Sequence, residues 1–371
     1  MTPDMSGQET RAWRNNEEDR NCISGCYERT REKYMLKLVK KKVKKPVSLK
    51  DHQERRNKIL IKRRSGGYGD ILVQRMLFED FSQAFPGAEI TFACPAQYVE
   101  MAKNHPFATA IDLGSVNEDE YGVVYDLSTA CRVHENRQGI DNKDNRSDIW
   151  AAHCGVTLTN HNMMLKPDAN VLDQCREAFK RYNKEGKPAI LVASASSDDQ
   201  CGIAKSLTYN QISDVVKALR DIGCYVFTIH SDKQVVYDNL GVDQIFSIHQ
   251  QAWIAMVELA DAVISVDTGT FHIAAGLKKP LIGIFSFTNG KLYGKYYDFV
   301  LVQKHRDNGD WDCGPCFNMI ACPKSKEAQK PCLTELSSSD ILRGFAEAVE
   351  KWPSLKNSLR NKRTDLLGHT S

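Results

Sequence analysis

The chain has 371 residues, 42% of them apolar and 26% charged, with 12 cysteines and a formal net charge of +3. That length favours two domains, and the composition is that of a globular protein rather than a disordered or fibrous one. No apolar run approaches the roughly 18 residues a membrane span needs, and the polar N-terminus carries no signal-peptide core. A cytoplasmic location is therefore expected, with the cysteines as free thiols or metal ligands rather than disulfides.

Charge is unevenly spread. Between Glu28 and Arg64 stand 16 Lys and Arg against 4 Asp and Glu, a local +12 that leaves the remainder at −9. Residues 1–57 read as a basic, partly disordered N-terminal extension. It holds Trp13, the pair Cys22 and Cys26, and the lysine-rich run Arg29 to Lys45, which Pro46 closes. Such an arm can touch an anionic membrane surface, nucleic acid or an acidic partner.

Lys58 to Lys62 reads as an apolar strand. The turn Gly66-Gly67-Tyr68-Gly69-Asp70 follows, then an amphipathic helix over Ile71 to Phe85, ended by Pro86-Gly87, and a strand at Glu89 to Ala93. This is the opening βαβ of a doubly wound domain. The G-x-G-x-x-G spacing of a dinucleotide site is absent, and Asp70 would repel a pyrophosphate. At a helix start Asp70 is stabilised by the helix dipole. Further strands are expected at Ala108 to Leu113 and Gly122 to Asp126. Cys131 to Arg146 lacks periodicity and reads as a surface loop, with Arg132, His134, Arg137 and Arg146 as possible acceptor contacts. A short helix follows from Ile149 to Cys154. Residues 58–165 thus make a first Rossmann-like domain.

One helix, about Asn170 to Asn183, crosses to a second such domain at residues 185–351. Its strands are expected at Ala189 to Ala193, Tyr225 to Ile229, Ala262 to Val266, Leu281 to Phe285 and Phe299 to Val302. Ser194, Ser196 and Ser197 lie at the end of the first. Lys205 precedes a helix from Asn210 to Asp221. His230, Ser231 and Asp232 cluster where a nucleotide's base or ribose would bind. The stretch Ile264 to Phe285 runs strand, polar turn, helix, strand. Asp267 and Thr268 suit an N-cap, Gly269 permits close backbone approach, and the free amides of the helix start at Gly269 and Thr270 favour phosphate. His272 lies near the same end.

The string D-T-G-x-x-H-x-A-A-x-x-x-x-P, here Asp267, Thr268, Gly269, His272, Ala274, Ala275 and Pro280, resembles the signature of heptosyltransferase-like enzymes of glycosyltransferase family 9. The Gly69-Asp70 pair matches their second hallmark, and the resemblance runs from about Lys58 to about Ala348. It implies a GT-B architecture, two Rossmann-like domains facing across a cleft. It implies Asp70 as catalytic base and Lys205 beside the donor phosphates, although Leu207-Thr208 replaces the aromatic-Pro pair common after that lysine. Ser194, Ser196, Asp267, Thr268, Gly269, Thr270 and His272 would complete the donor side, and Gly67, Tyr68, Gly69 and Arg146 the acceptor side. The expected cofactor is a nucleotide-sugar donor, ADP-heptose or similar, with a saccharide or protein as acceptor and no catalytic divalent metal.

Cys313, Cys316, Cys322 and Cys332 fall within 20 residues in the loop 304–333. Four thiolates can close a tetrahedral zinc or iron site, although the spacing departs from a zinc ribbon. Reduced thiols are the alternative. Asp310-Trp311-Asp312 matches a D-x-D metal pattern, but without a preceding strand it reads as incidental. Ser339 to Lys351 forms a last amphipathic helix, and 352–371 a polar tail.

The function expected is inverting transfer of a sugar, heptose among the candidates, from a nucleotide-diphosphate sugar. The rivals are a nucleotide-sugar epimerase of the same architecture and a catalytically idle GT-B-like protein whose arm binds nucleic acid.

Overall fold

The computed structural model describes residues 57–196, 200–230, 237–246, 248–304, 309, 313–316, 322, 324–327 and 329–368. Most of the basic arm, Ser197, Ser231, Asp232 and the Asp310-Trp311-Asp312 pattern lie outside the described residues. His52–Ser371 make one compact unit holding two parallel sheets.

The first sheet comprises β1 (Lys58–Lys62), β2 (Glu89–Cys94), β3 (Thr109–Asp112) and β4 (Val123–Asp126), in the order β3-β2-β1-β4. The second comprises β5 (Ala189–Ala193), β6 (Tyr225–His230), β7 (Asp243–Phe246), β8 (Ala262–Val266), β9 (Leu281–Phe285) and β10 (Val300–Gln303), in the order β10-β9-β8-β5-β6-β7. Parallel sheets need helices on both faces. Accordingly Leu60 and Ile61 of β1 and every residue of β5, β8 and β9 are buried.

The topology locates a site before any side chain is considered. In the first sheet the chain steps outward from β1 to β3, then returns to β4 on the other side of β1. In the second it steps from β5 to β7 and returns to β8 on the other side of β5. Each reversal opens a crevice at the strands' carboxyl ends, where α/β proteins bind ligands. The Gly66–Asp70 turn follows β1, Ser194 follows β5 and Asp267 follows β8.

Four local expectations change. The helix after β1 starts earlier, at Tyr68, and is two helices, α1 (Tyr68–Gln74) and α2 (Phe78–Ala84), joined by a 3-10 turn at Arg75–Leu77. The supposed loop from Cys131 is largely helical: α4 (Ala130–Gln138) follows the short α3 (Val99–Ala102), and α5 (Arg146–His153) opens on Arg146. Helix α4 escapes a hydrophobicity reading because it buries Cys131 and, one turn on, a charged Glu135. Strand β7 is an edge strand whose residues are all half-buried, so it lacks the continuous apolar run of the central strands. The polar tail continues as a helix, Pro353–Gly368, that buries Leu355.

Several side chains tie the first lobe to the connecting segment and to the second lobe. Wholly buried Arg75 donates to the carbonyls of Met101, Ala102 and Lys103 in the first lobe and of Met163 and Met164 in the connecting segment. Asn145 Nδ2 donates to the Leu292 carbonyl at 2.7 Å, and Tyr296 Oη donates to Asp148 Oδ2 at 2.7 Å. Gln251 Nε2 donates to the Glu100 carbonyl at 2.6 Å. Their combined effect is to hold the two sets of strand ends against a common cleft.

Candidate active site

In the first lobe, Gly66 adopts φ +133, a conformation that L side chains rarely reach, and a β-carbon there would stand 2.6 Å from Asp70 Oδ2. The turn thus makes room for the carboxylate. Helix α1 has no side-chain cap, and Asp70 is engaged instead by two guanidinium groups. Arg63 Nη2 donates to Oδ2 at 3.1 Å and Arg146 Nη1 to Oδ1 at 2.7 Å. Burial, the largest single influence on Asp70, raises its pKa, but the charges of Arg146 and Arg63 and the Arg146 hydrogen bond outweigh it. The carboxyl is held below the usual range and is ionised at neutral pH.

Arg146 is itself fixed by a fork of bonds to Glu135, Nε to Oε1 at 2.7 Å and Nη2 to Oε2 at 3.0 Å, the bidentate geometry that guanidinium and carboxylate favour. Its guanidinium Cζ also lies 5.2 Å from the Tyr293 ring centroid, over the aromatic face. Arg63 is buried, stacks on Trp150 at 5.1 Å and donates to the Leu127 carbonyl.

In the second lobe, helix α10 (Gly269–Gly276) starts at the end of β8 with Thr268 at its N-cap position, and the Thr268 side chain makes no capping bond. The first amides of the helix are therefore open to an anion. Asp267, expected on the donor side, has its side chain engaged within the protein. Its buried carboxylate pairs with Lys205 Nζ at 2.9 Å and accepts from Thr288 Oγ1 at 2.9 Å. Burial would raise its pKa most strongly, yet the charge and hydrogen bond of Lys205, with His272 and Thr288 adding to them, bring it below the usual range. Asp267 thus holds the lysine at the strand end. Ser194 is similarly occupied, since its hydroxyl shares a short hydrogen bond with Tyr237 Oη. Thr208 forms a capping box with Gln211 at the start of α8 (Tyr209–Asp221), which positions the helix that follows Lys205.

These groups meet in one cavity of about 760 Å³. Gly67, Tyr68, Gly69, Asp70 and Arg146 line it from the first lobe, and Ser194, Ser196, Lys205, Asp267, Thr268, Gly269, Thr270 and His272 from the second. The lobes touch here through reciprocal glycines. A β-carbon on Gly69 would stand 2.7 Å from His272 Cδ2, and one on Gly269 would stand 3.2 Å from Tyr68 Cβ and 2.8 Å from the Trp253 ring. His272 is buried, and its pKa is pushed down to about 4, chiefly by burial, against the pull of Asp267 and Asp70. His230 also lines the cavity.

Some expected residues lie elsewhere. His134 and Arg137 line a separate groove along α4 and α5, where His134 pairs with Asp144, and Arg132 is exposed on α4. Cys313, Cys316, Cys322 and Cys332 line a third, small cavity with Phe287 and Lys304. Burial first, then repulsion from the other three thiols, pushes Cys332 up to about 12. Among the described residues no group of three or more His, Cys, Asp or Glu is arranged to hold a metal ion.

Sequence reasoning missed Glu135, Tyr293, Trp253 and the role of Arg63. Only Arg63 carried a usable signal, being a charged residue directly after the first strand. Tyr293 and Trp253 reach the cleft, and Glu135 reaches Arg146, only through tertiary packing.

The model of "Glycosyltransferase family 9 (heptosyltransferase)" matches residues 162–319. Over these residues, a little under half of the chain, the sequence is similar to glycosyltransferase family 9. The matched stretch includes the donor-side turn and Lys205, while Asp70 and Arg146 precede it. No curated protein sequence matches the chain. Among solved structures, a family 9 glycosyltransferase from Veillonella parvula DSM 2008 is 12% identical, with 81% of this chain and 99% of that chain covered and a TM-score of 0.60. ADP-heptose LPS heptosyltransferase II of E. coli is 14% identical over 78% and 98% of the two chains, TM-score 0.58. The iron-containing dodecameric glycosyltransferase TibC from enterotoxigenic E. coli is 13% identical over 80% and 77%, TM-score 0.59. At these identities the likeness is one of fold, and that fold is the two-lobed GT-B architecture of family 9. Among the described residues no helix is long and apolar enough to cross a membrane.

Proposed function

We propose that this chain is an inverting glycosyltransferase of the family 9 type that moves a sugar from a nucleoside-diphosphate sugar to a hydroxyl of a saccharide or protein. The reading is carried by one observation: Asp70 of one lobe and the Lys205–Asp267 pair of the other line the same cavity. An acceptor hydroxyl beside Asp70 attacks the anomeric carbon from the face opposite the diphosphate. The new carbon–oxygen bond forms as the bond to the diphosphate oxygen breaks, and the leaving group departs with that electron pair. Asp70 takes the hydroxyl proton. A carboxylate of depressed pKa is a weak base, so the transfer falls late, once bonding to carbon has made the attacking oxygen acidic.

Lys205 and the first amides of α10 offset the negative charge that develops on the diphosphate. On this reading no divalent cation is required for the chemistry. Arg146 and Arg63 keep Asp70 ionised and aimed into the cleft. The donor is proposed to be an ADP-sugar of the heptose type, by analogy with TibC, whose structure was determined in complex with ADP-D-beta-D-heptose.

Two accessory assignments belong to the same proposal. The four cysteines line one cavity, and thiolates bind zinc or iron strongly, but as arranged here they do not form a ligand set, so a structural ion would have to draw them together. The basic extension of residues 1–57 would engage an anionic surface. A screen of nucleoside-diphosphate sugars tests the main reading. It predicts release of the nucleoside diphosphate from one donor class in the presence of acceptor extract. Stabilisation by none of the donors and turnover of none would overturn it.

A further inference from the structure

We propose that Tyr297 is a positioning residue for this site: its hydroxyl donates to His272 Nδ1 and so presents the opposite nitrogen, as Nε2–H, to a phosphate oxygen in the cleft. The proposal rests on the donor-site reading above for its ligand, and on the following geometry for the rest. Tyr297 Oη and His272 Nδ1 are 2.8 Å apart. The Tyr297 ring packs edge-on to His272 and against Phe271, itself wholly buried, so neither ring turns freely. On the far side of the imidazole, the Cδ2–Nε2 edge faces Gly69, where a β-carbon would stand 2.7 Å from Cδ2 and 2.9 Å from Nε2. His272 lines the interlobe cavity and its Nδ1 is engaged by Tyr297, which leaves Nε2 as the ring nitrogen available to a ligand where the two lobes touch.

The direction of the Tyr297 bond follows from charge. At neutral pH the imidazole, pushed down to about 4, carries one N–H and one lone pair. Burial, then Asp267, raises the pKa of Tyr297, so its hydroxyl keeps its proton. Either the hydroxyl donates to Nδ1 or Nδ1–H donates to the hydroxyl oxygen. The second arrangement would turn a lone pair toward the cleft, into the field of Asp70 and Asp267, both of which attract positive charge at His272. The first places an N–H dipole there and is the favoured one. A neutral donor at this point can bind a phosphate oxygen without adding a third cation to Lys205 and Arg146. Nothing in the motif spacing points to Tyr297, which lies 25 residues beyond His272 in the chain.

The test uses full-length protein with 15N-labelled histidine, the His272 signals among the 10 histidines being assigned with His272→Gln. The expected wild-type spectrum at pH 7 shows a protonated Nε2 and an unprotonated, hydrogen-bonded Nδ1, with the Nε2 proton moving downfield on addition of ADP. Tyr297→Phe should bind ADP about three- to tenfold more weakly, the range of one net hydrogen bond, with a melting temperature close to wild type. A wild-type His272 protonated at Nδ1 would overturn the proposal. So would wild-type ADP affinity in Tyr297→Phe. Should that variant fail to fold, the wild-type spectrum alone decides the tautomer. If wild type binds no nucleoside diphosphate, the donor-site reading fails and the ligand half of this proposal falls with it, while the tautomer is still read from the spectrum.

Discussion

Gly69 of the first lobe faces the imidazole of His272 in the second so closely that a β-carbon would come within 2.7 Å of the ring. The two residues lie in the first turns of α1 and α10, the helices that follow β1 and β8 at the crevices the topology marks. Gly69→Ala should therefore either push the lobes apart or displace His272. Overpacking of this kind costs about 1–3 kcal/mol, and we expect a lower melting temperature together with weaker ADP binding. Unchanged values for both in calorimetry would mean that the contact is looser than the structure places it.

Removing Lys205 has a structural consequence as well as a functional one. Lys205→Ala leaves the buried Asp267 carboxylate without its cation, and breaking a buried pair typically costs about 3–5 kcal/mol. Replacing both partners, Lys205→Met with Asp267→Asn, should restore much of that stability but not nucleoside-diphosphate affinity. Recovery of ADP binding in the double variant would remove Lys205 from the phosphate site.

Stability should fall between pH 7 and pH 5. His272 and His230, each pushed to about 4 by burial, and His105, pushed to about 3 by burial and then Arg75, remain neutral in the folded protein over that range. In the unfolded chain they take up protons near the ordinary value of about 6.5. The unfolded state then binds more protons, so unfolding is favoured as pH drops toward the folded values. Urea unfolding at the two pH values measures the slope, and His272→Asn should flatten part of it. A slope identical to wild type would show that His272 is not held neutral.

Purified protein should contain about one zinc or iron per chain if Cys313, Cys316, Cys322 and Cys332 close a site. Elemental analysis after chelator-free purification reads this directly. Absence of stoichiometric metal would leave the four as a cluster of thiols.

Glu135 is expected to act through Arg146. Glu135→Ala removes the fork that orients the guanidinium and should lower turnover, with Glu135→Asp recovering part of it. A turnover equal to wild type in Glu135→Ala would mean that Asp70 alone orients Arg146.

The central strands and the two turns were legible in the sequence because a buried parallel strand must be a short apolar run, and a strand-end turn that approaches a ligand needs small and polar residues. Strand β7 and helix α4 were not. Half-buried Asp243–Phe246 lacks the apolar run, and Glu135 occupies the inward face of α4 where a hydrophobe would be expected. Glu135 is buried only because Arg146 compensates it, a fact that depends on two helices meeting. The same holds for Asp267 and Ser194. Sequence places both at strand ends, but only packing shows that Lys205 and Tyr237 already engage their side chains.

The central claim is that Asp70 accepts the acceptor's proton, and Asp70→Asn tests it most directly. The amide keeps the size of the side chain while removing the proton acceptor, and loss of a general base typically costs ~10²–10⁴ in rate. ADP affinity and sugar transfer from the donor found by screening should be measured on the same preparation. The account predicts ADP binding close to wild type with transfer reduced at least about a hundredfold. Near-normal transfer by Asp70→Asn would contradict it.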